Sequence, residues 1–244
     1  MAPEKDLVVL LHGLTGDPAS VLRYAPETPD AEIFAPELPG HGRSPLVRPF
    51  HRDVIARAVG DDLAPRITDR VRLHVVGLSL GASLAWILAA RFGAATATFV
   101  RPAHGTEQAP EHLSLNLRVA DLLETDPMTA AAEIAGDPRF LELRTASPSA
   151  ARNIVRKATV ASPELARRRA ELLREGSTWH RPGEPLESAV LVLAAERDGL
   201  HPIRIAEEWG RAASAAVMRV PAPDGAGHAE AVQRHIERQI ASCA

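Results

Sequence analysis

Cysteine is nearly missing: the 244-residue chain carries one, Cys243, at its far end. A disulfide framework is therefore excluded, and no thiol lies near any motif used below. Long apolar runs are missing too. The run Leu7 to Leu11 is far too short to span a bilayer, and the opening MAPEKDLVVLLHG has no apolar stretch ending in a small-residue cleavage site. A soluble, cytoplasmic protein is the expectation, with no membrane partner. Charge of one sign is not in excess: 28 Lys and Arg face 31 Asp and Glu, for a net charge of -3. The arginines are interleaved with acids, as in RRRAELLRE, which reads as solvated helix faces and not as a nucleic-acid surface. GxGxxG and Walker patterns are absent, so no nucleotide cofactor is expected. His41, His51, His104, His112 and His180 are scattered without zinc-ligand spacing, so no metal is expected.

What is present is an ordinary globular composition, 45% hydrophobic and 24% charged. DLVVLL (Asp6 to Leu11), EIFAPEL (Glu32 to Leu38), RLHVVG (Arg72 to Gly77), ATATFV (Ala95 to Val100), SAVLVLAAERD (Ser188 to Asp198) and AVMRVPA (Ala216 to Ala222) read as strands. Helical spacing marks Asp53 to Asp69, Leu80 to Phe92, Ile203 to Ala213 and Glu230 to Ile240. The alternation predicts an α/β fold with a mainly parallel, doubly wound sheet. Between about Arg101 and Pro185 no convincing strand is found, only amphipathic patterns with Leu113, Leu117, Ala120 and Leu123 on one stripe. The expected organisation is a core of residues 1–100 and 186–244, with residues 101–185 inserted as a helical cap over the sheet's carboxyl edge. Val119 is a further apolar position there, and such a cap is where substrate choice would reside. Trp179, near its exit, reads as packing.

Val75 to Ala90, VVGLSLGASLAWILAA, places Ser79 between glycines at the junction of a predicted strand and helix. An abrupt strand-to-helix turn pushes the corner side chain outward, and the residues two positions away must be small. Gly77 and Gly81 meet that need. The pattern G-x-S-x-G arises by chance about 0.1 times in a chain this long, so partners are needed. A base should come from a loop at the same edge. His228, in PDGAGHAEAV between the last predicted strand and helix, is the expected base; His12 and His201 also follow strands but are assigned elsewhere, His12 to a structural loop role. The acid that fixes the imidazole tautomer is expected to be Asp198, at the end of VLVLAAERD, ahead of Glu196 and Asp224. The backbone amides of Leu14, in LLHGLTG, and Leu80 are expected to bind an oxyanion.

LLHGLTG, PELPGHGRS, GLSLGA, AERDGLHP and GAGHAEA together resemble the α/β-hydrolase superfamily, in the order nucleophile, acid, histidine. The resemblance implies a sheet of eight or a similar number of strands, a helical cap after the strand ending near Val100, and the set Ser79, Asp198 and His228 with the Leu14 and Leu80 amides. Two departures stand out. The proline-rich Asp17 to Pro29 leaves room for only a short helix near Ala19 to Ala25, and the cap matches no pattern that names a substrate. Serine at the elbow argues against the aspartate-nucleophile branches. The expected function is hydrolysis of a small carboxylic ester, lactone or thioester through an acyl-enzyme on Ser79. An amidase or peptidase, an acyltransferase, a C–C bond hydrolase, or a ligand-binding receptor on the same scaffold stay open as alternatives. The expected partner is a small-molecule acyl substrate; composition does not speak to oligomeric state.

Overall fold

The computed structural model describes residues 5–28, 31–107, 110–221 and 227–241. Strands β1 (Lys5–Leu11), β2 (Glu32–Phe34), β3 (Val71–Leu78), β4 (Thr96–Val100), β5 (Ala189–Ala195) and β6 (Val217–Val220) form one sheet. Their order is β2-β1-β3-β4-β5-β6, and every pairing is parallel. The described residues form six strands, where the resemblance implied eight or a similar number. β2 is also shorter than the pattern suggested, because Pro36 removes a ladder donor two residues past its end. Helices α1 (Ala19–Leu22), α2 (Arg52–Leu63), α3 (Leu80–Phe92), α9 (Ile203–Ala212) and α10 (His228–Ala241) accompany the strands. The expected shortening of the first helix appears as the single turn of α1.

The central strands are apolar throughout because both faces are covered. On one face Val9, Val75, Ala97 and Val192 pack with α2, α3 and α9; on the other Val8, Leu10, Val76 and Leu193 pack with Val232 and Ile236 of α10. Trp86, Phe99 and Trp209 form an aromatic group on the first face, with ring centroids 4.9 to 5.3 Å apart. α3 is buried nearly all round. It ends at Gly93, whose left-handed φ of 63° lets the chain leave the helix.

Between β4 and β5 the described chain is helical: α4 (Ser114–Thr125), α5 (Ala130–Ala135), α6 (Pro138–Ala146), α7 (Pro148–Ala158) and α8 (Pro163–Gly176). These helices have a core of their own, built on Leu115, Val119, Leu123, Ile134, Phe140, Ile154 and Leu173. The buried face of α4 is rotated from the predicted stripe, with Leu115 and Val119 inside and Leu117 only partly covered. Proline opens α6, α7 and α8 at the first helical position, where its missing N–H breaks no bond. Trp179 packs against Phe50 with centroids 5.3 Å apart and donates from Nε1 to the Phe50 carbonyl at 3.0 Å. No helix among the described residues is long and apolar enough to cross a membrane.

Candidate active site

The chain leaves β1 toward β2 on one side and returns to β3 on the other, so the carboxyl ends of β1 and β3 diverge into a crevice. Here backbone strain is concentrated. Thr15 after β1, Ser79 after β3, Arg101 after β4 and Arg197 after β5 all have positive φ without being glycine. Such conformations cost energy and persist only where their surroundings hold them. Ser79 has φ 57° and ψ -114°, between the last residue of β3 and the first of α3. A Cβ at Gly77 would collide with the Gly81 carbonyl, and one at Gly81 with the carbonyls of Leu11 and His12. The two glycines are therefore the condition for the turn that projects Ser79.

Two neutral histidines tie the loop after β1 to the loop after β2. His12 donates from Nδ1 to the Gly13 carbonyl at 2.9 Å and accepts at Nε2 from the Leu38 amide at 3.1 Å. His41 donates to the Pro39 carbonyl at 3.1 Å and accepts from the strained Thr15 amide at 3.0 Å. Burial lowers both pKa values, that of His41 to about 4 with the neighbouring His12 contributing. Each thus keeps an acceptor lone pair for a backbone amide. This bracing fixes Gly13 beside Ser79, where a side chain would sit 3.2 Å from Ser79 Cβ, and sets the position of Leu14. The Leu80 amide is the first of α3, where helix amides have no partner within the helix.

Ser79 Oγ lies 2.9 Å from Nε2 of His201, and His201 Nδ1 lies 2.9 Å from Oδ2 of Asp198. The carboxylate must accept, so Nδ1 carries the proton and Nε2 is left to accept from the serine hydroxyl. Asp198 also accepts at Oδ1 from the Leu200 and His201 amides, at 3.0 and 3.2 Å, and at Oδ2 from Arg101 at 3.3 Å. Burial opposes its charge, but the His201 ring, Arg101 and the Leu200 amide outweigh that cost and hold its carboxyl well below the usual range.

His228 was expected as the base, and the structure does not bring it to Ser79. It is fully buried, 0% exposed, at the first turn of α10, and Nε2 donates to the Ala194 carbonyl of β5 at 3.2 Å. Burial lowers its pKa to about 4. His201 takes the place at the serine because Asp198 turns the chain back on itself. With Oδ1 capping two amides, the residue three positions on points its ring at the same carboxylate. The structure thus brings Ser79 and Asp198 to one histidine, His201, and leaves His228 apart from them. Of the rival acids, Glu196 remains at the end of β5, with its amide bonded to the Val220 carbonyl, and Asp224 lies outside the described residues.

A cavity of about 230 Å³ opens between this edge and the helices that lie between β4 and β5. Leu14, Ser79, Leu80, Asp198 and His201 line one wall, and Leu113, Asn116, Asn153 and Lys157 the other. Of the apolar positions between Arg101 and Pro185 singled out by sequence, Leu113 reaches the cavity, while Val119 and Leu123 pack inside the helical core. His104, also lining it, is held between Ser83 Oγ at 3.1 Å and the Gly176 carbonyl at 2.8 Å, and burial lowers its pKa to about 4. Among the described residues no group of three or more His, Cys, Asp and Glu side chains converges as a metal site would require.

Lys157 is the unusual member of this lining: 6% exposed, it donates to Asn116 Oδ1 at 2.8 Å. Burial, and then Arg156 nearby, lowers its pKa from 10.5 to about 7. Between those values the unfolded chain holds a proton that the folded chain has released, so stability gains as pH rises through that window; below pH 7 the fold bears the full cost. The stability difference, wild type minus Lys157→Met, is expected to move in favour of wild type by on the order of 3 kcal/mol from pH 7 to pH 10. Urea unfolding of both proteins at the two pH values measures it; a difference independent of pH would contradict a depressed lysine.

The alpha/beta hydrolase family profile matches residues 8–239, and the chain belongs to that family. Among solved structures it is similar to MGS-M2, an alpha/beta hydrolase enzyme from a Medee basin deep-sea metagenome library, with TM-score 0.72, 15% identity, and 96% of this chain and 90% of that one covered. It is also similar to a marine microorganism esterase, with TM-score 0.67, 14% identity and coverage of 97% and 95%. A third is the type II thioesterase BorB from the borrelidin biosynthetic cluster, with TM-score 0.65, 17% identity and coverage of 98% and 91%. At these identities the likeness speaks for the fold. No curated protein sequence is similar enough to count as a relative.

Proposed function

We propose that the protein is a serine hydrolase of small carboxylic esters or thioesters, acting through Ser79, His201 and Asp198. The observation that carries the reading is the continuous relay of two 2.9 Å contacts, Ser79 to His201 to Asp198, at the strained elbow. The esterase and the thioesterase of the same fold are consistent with acyl chemistry on it. In this reading Ser79 Oγ attacks the carbonyl carbon while its proton passes to His201 Nε2. Asp198 stabilises the imidazolium and keeps Nδ1 facing it. The Leu14 and Leu80 amides receive the negative charge that develops on the carbonyl oxygen. The imidazolium then protonates the leaving alkoxide or thiolate, and the acyl group stays on Ser79. A water, deprotonated by His201, releases the acid. The inserted helices serve as the cap that closes the acyl site from above.

The test is a panel of p-nitrophenyl esters, lactones and acyl thioesters, with intact-mass detection of the enzyme during turnover. The expected result is hydrolysis of at least one class and a transient mass increase equal to the acyl group, mapped to Ser79. Turnover with no adduct under rapid acid quench, or no turnover of any class, would refute the reading.

A further inference from the structure

On α7, Ala150, Ile154, Lys157 and Ala158 share the buried face. The helical pattern asks for an apolar side chain at position 157, and lysine there breaks a rule that sequences break chiefly at functional places. Its ammonium has three donors, and the one bond shown goes to Asn116, itself 3% exposed. Beside it, one turn earlier on the helix, Asn153 has a buried side-chain oxygen without a partner among the described residues. Unmet polar groups in a buried setting are costly unless something else meets them. All three side chains face the cavity that Ser79 faces.

The charges in that cavity are one-sided. Among the described residues Asp198 is the only acid lining it, and its oxygens are occupied by His201, Arg101 and two backbone amides. Arg156 and Lys157 also line it and have no carboxylate partner among the described residues. Arg156 lies exposed, whereas Lys157 is enclosed.

We infer that Lys157, with Asn116 and Asn153, forms a subsite for a carboxylate carried by the substrate away from its scissile carbonyl, so that the favoured substrates are half-esters or half-thioesters of dicarboxylic acids. A single enclosed ammonium between neutral amides balances one negative charge, which suits a carboxylate better than a doubly charged phosphate. Arg156 attracts the anion toward the opening, and Asn153 can turn its NH2 to the second carboxylate oxygen while Asn116 keeps its Oδ1 on the Lys157 ammonium. The anion and the ammonium stabilise each other in surroundings where each alone is penalised. The inference rests on Ser79 hydrolysing the bond, and its test separates the two.

Two esters that differ in a methyl cap on the distal carboxylate are compared: mono-p-nitrophenyl glutarate, which is anionic, and its methyl ester, which is neutral. With wild type, kcat/KM for the acid is expected to exceed that for the neutral ester by about 10- to 100-fold, the range of one charge-assisted contact, with the difference mainly in KM. In Lys157→Met the ratio falls to one or below. A wild-type ratio of one or less, or a ratio unchanged in the variant, overturns the subsite while leaving the hydrolase reading intact. Titration calorimetry of monomethyl glutarate against Ser79→Ala reads the same subsite without turnover. Binding there that is lost in Ser79→Ala/Lys157→Met supports it even if neither ester is cleaved; no binding to Ser79→Ala overturns it.

Discussion

Ser79→Ala is expected to keep the fold and lose about 10⁴-fold or more in kcat. Among the described residues the hydroxyl's hydrogen-bond partner is His201, so the substitution removes that contact alone. Alanine is smaller, and the elbow φ of 57° is already imposed on a non-glycine residue by its surroundings. Thermal unfolding of the variant should therefore match wild type closely, while turnover of the best ester in the panel should nearly vanish. A residual rate reflects oxyanion donors and substrate positioning, which the substitution leaves in place. Equal rates for the two proteins would remove Ser79 from the chemistry.

The second large effect distinguishes two histidines. His201→Gln is expected to lower kcat by on the order of 10³- to 10⁴-fold. Glutamine can still hold a hydrogen bond near Ser79, so positioning is roughly retained while proton uptake is lost. His228→Gln is expected to stay within a few-fold of wild type. Its ring donates to the Ala194 carbonyl and does not touch Ser79, and glutamine can supply a donor there. Any loss should appear in stability, since the side chain is buried at the start of α10. Steady-state kinetics on both variants, with circular dichroism to check folding, measures this.

Much of the fold was legible because its elements obey simple periods. The predicted helix Leu80 to Phe92 is α3 residue for residue, since a glycine-flanked serine opens it and Gly93 ends it. Strands buried on both faces were visible as short apolar runs. The elbow glycines were legible because the steric demand is local to five residues. The base was not. Choosing between His201 and His228 requires the direction of a ring after a three-residue turn, and that direction depends on Asp198 Oδ1 capping the Leu200 and His201 amides. The sequence signal was Asp-x-x-His after a strand, a pattern that also describes a plain turn. The cavity lysine was hidden for another reason. Lys157 looks like one of many charges on a solvated helix face until Ala150 and Ile154 are seen to share its buried side.

The central claim is that His201 activates Ser79, and the rate of Ser79 modification by a fluorophosphonate tests it most directly, because that reaction needs the nucleophile and its base without any choice of substrate. Wild type and His228→Gln are expected to label at similar rates, with His201→Gln slower by on the order of 10³-fold. Rapid labelling of His201→Gln together with slow labelling of His228→Gln would contradict the account and return the base to His228.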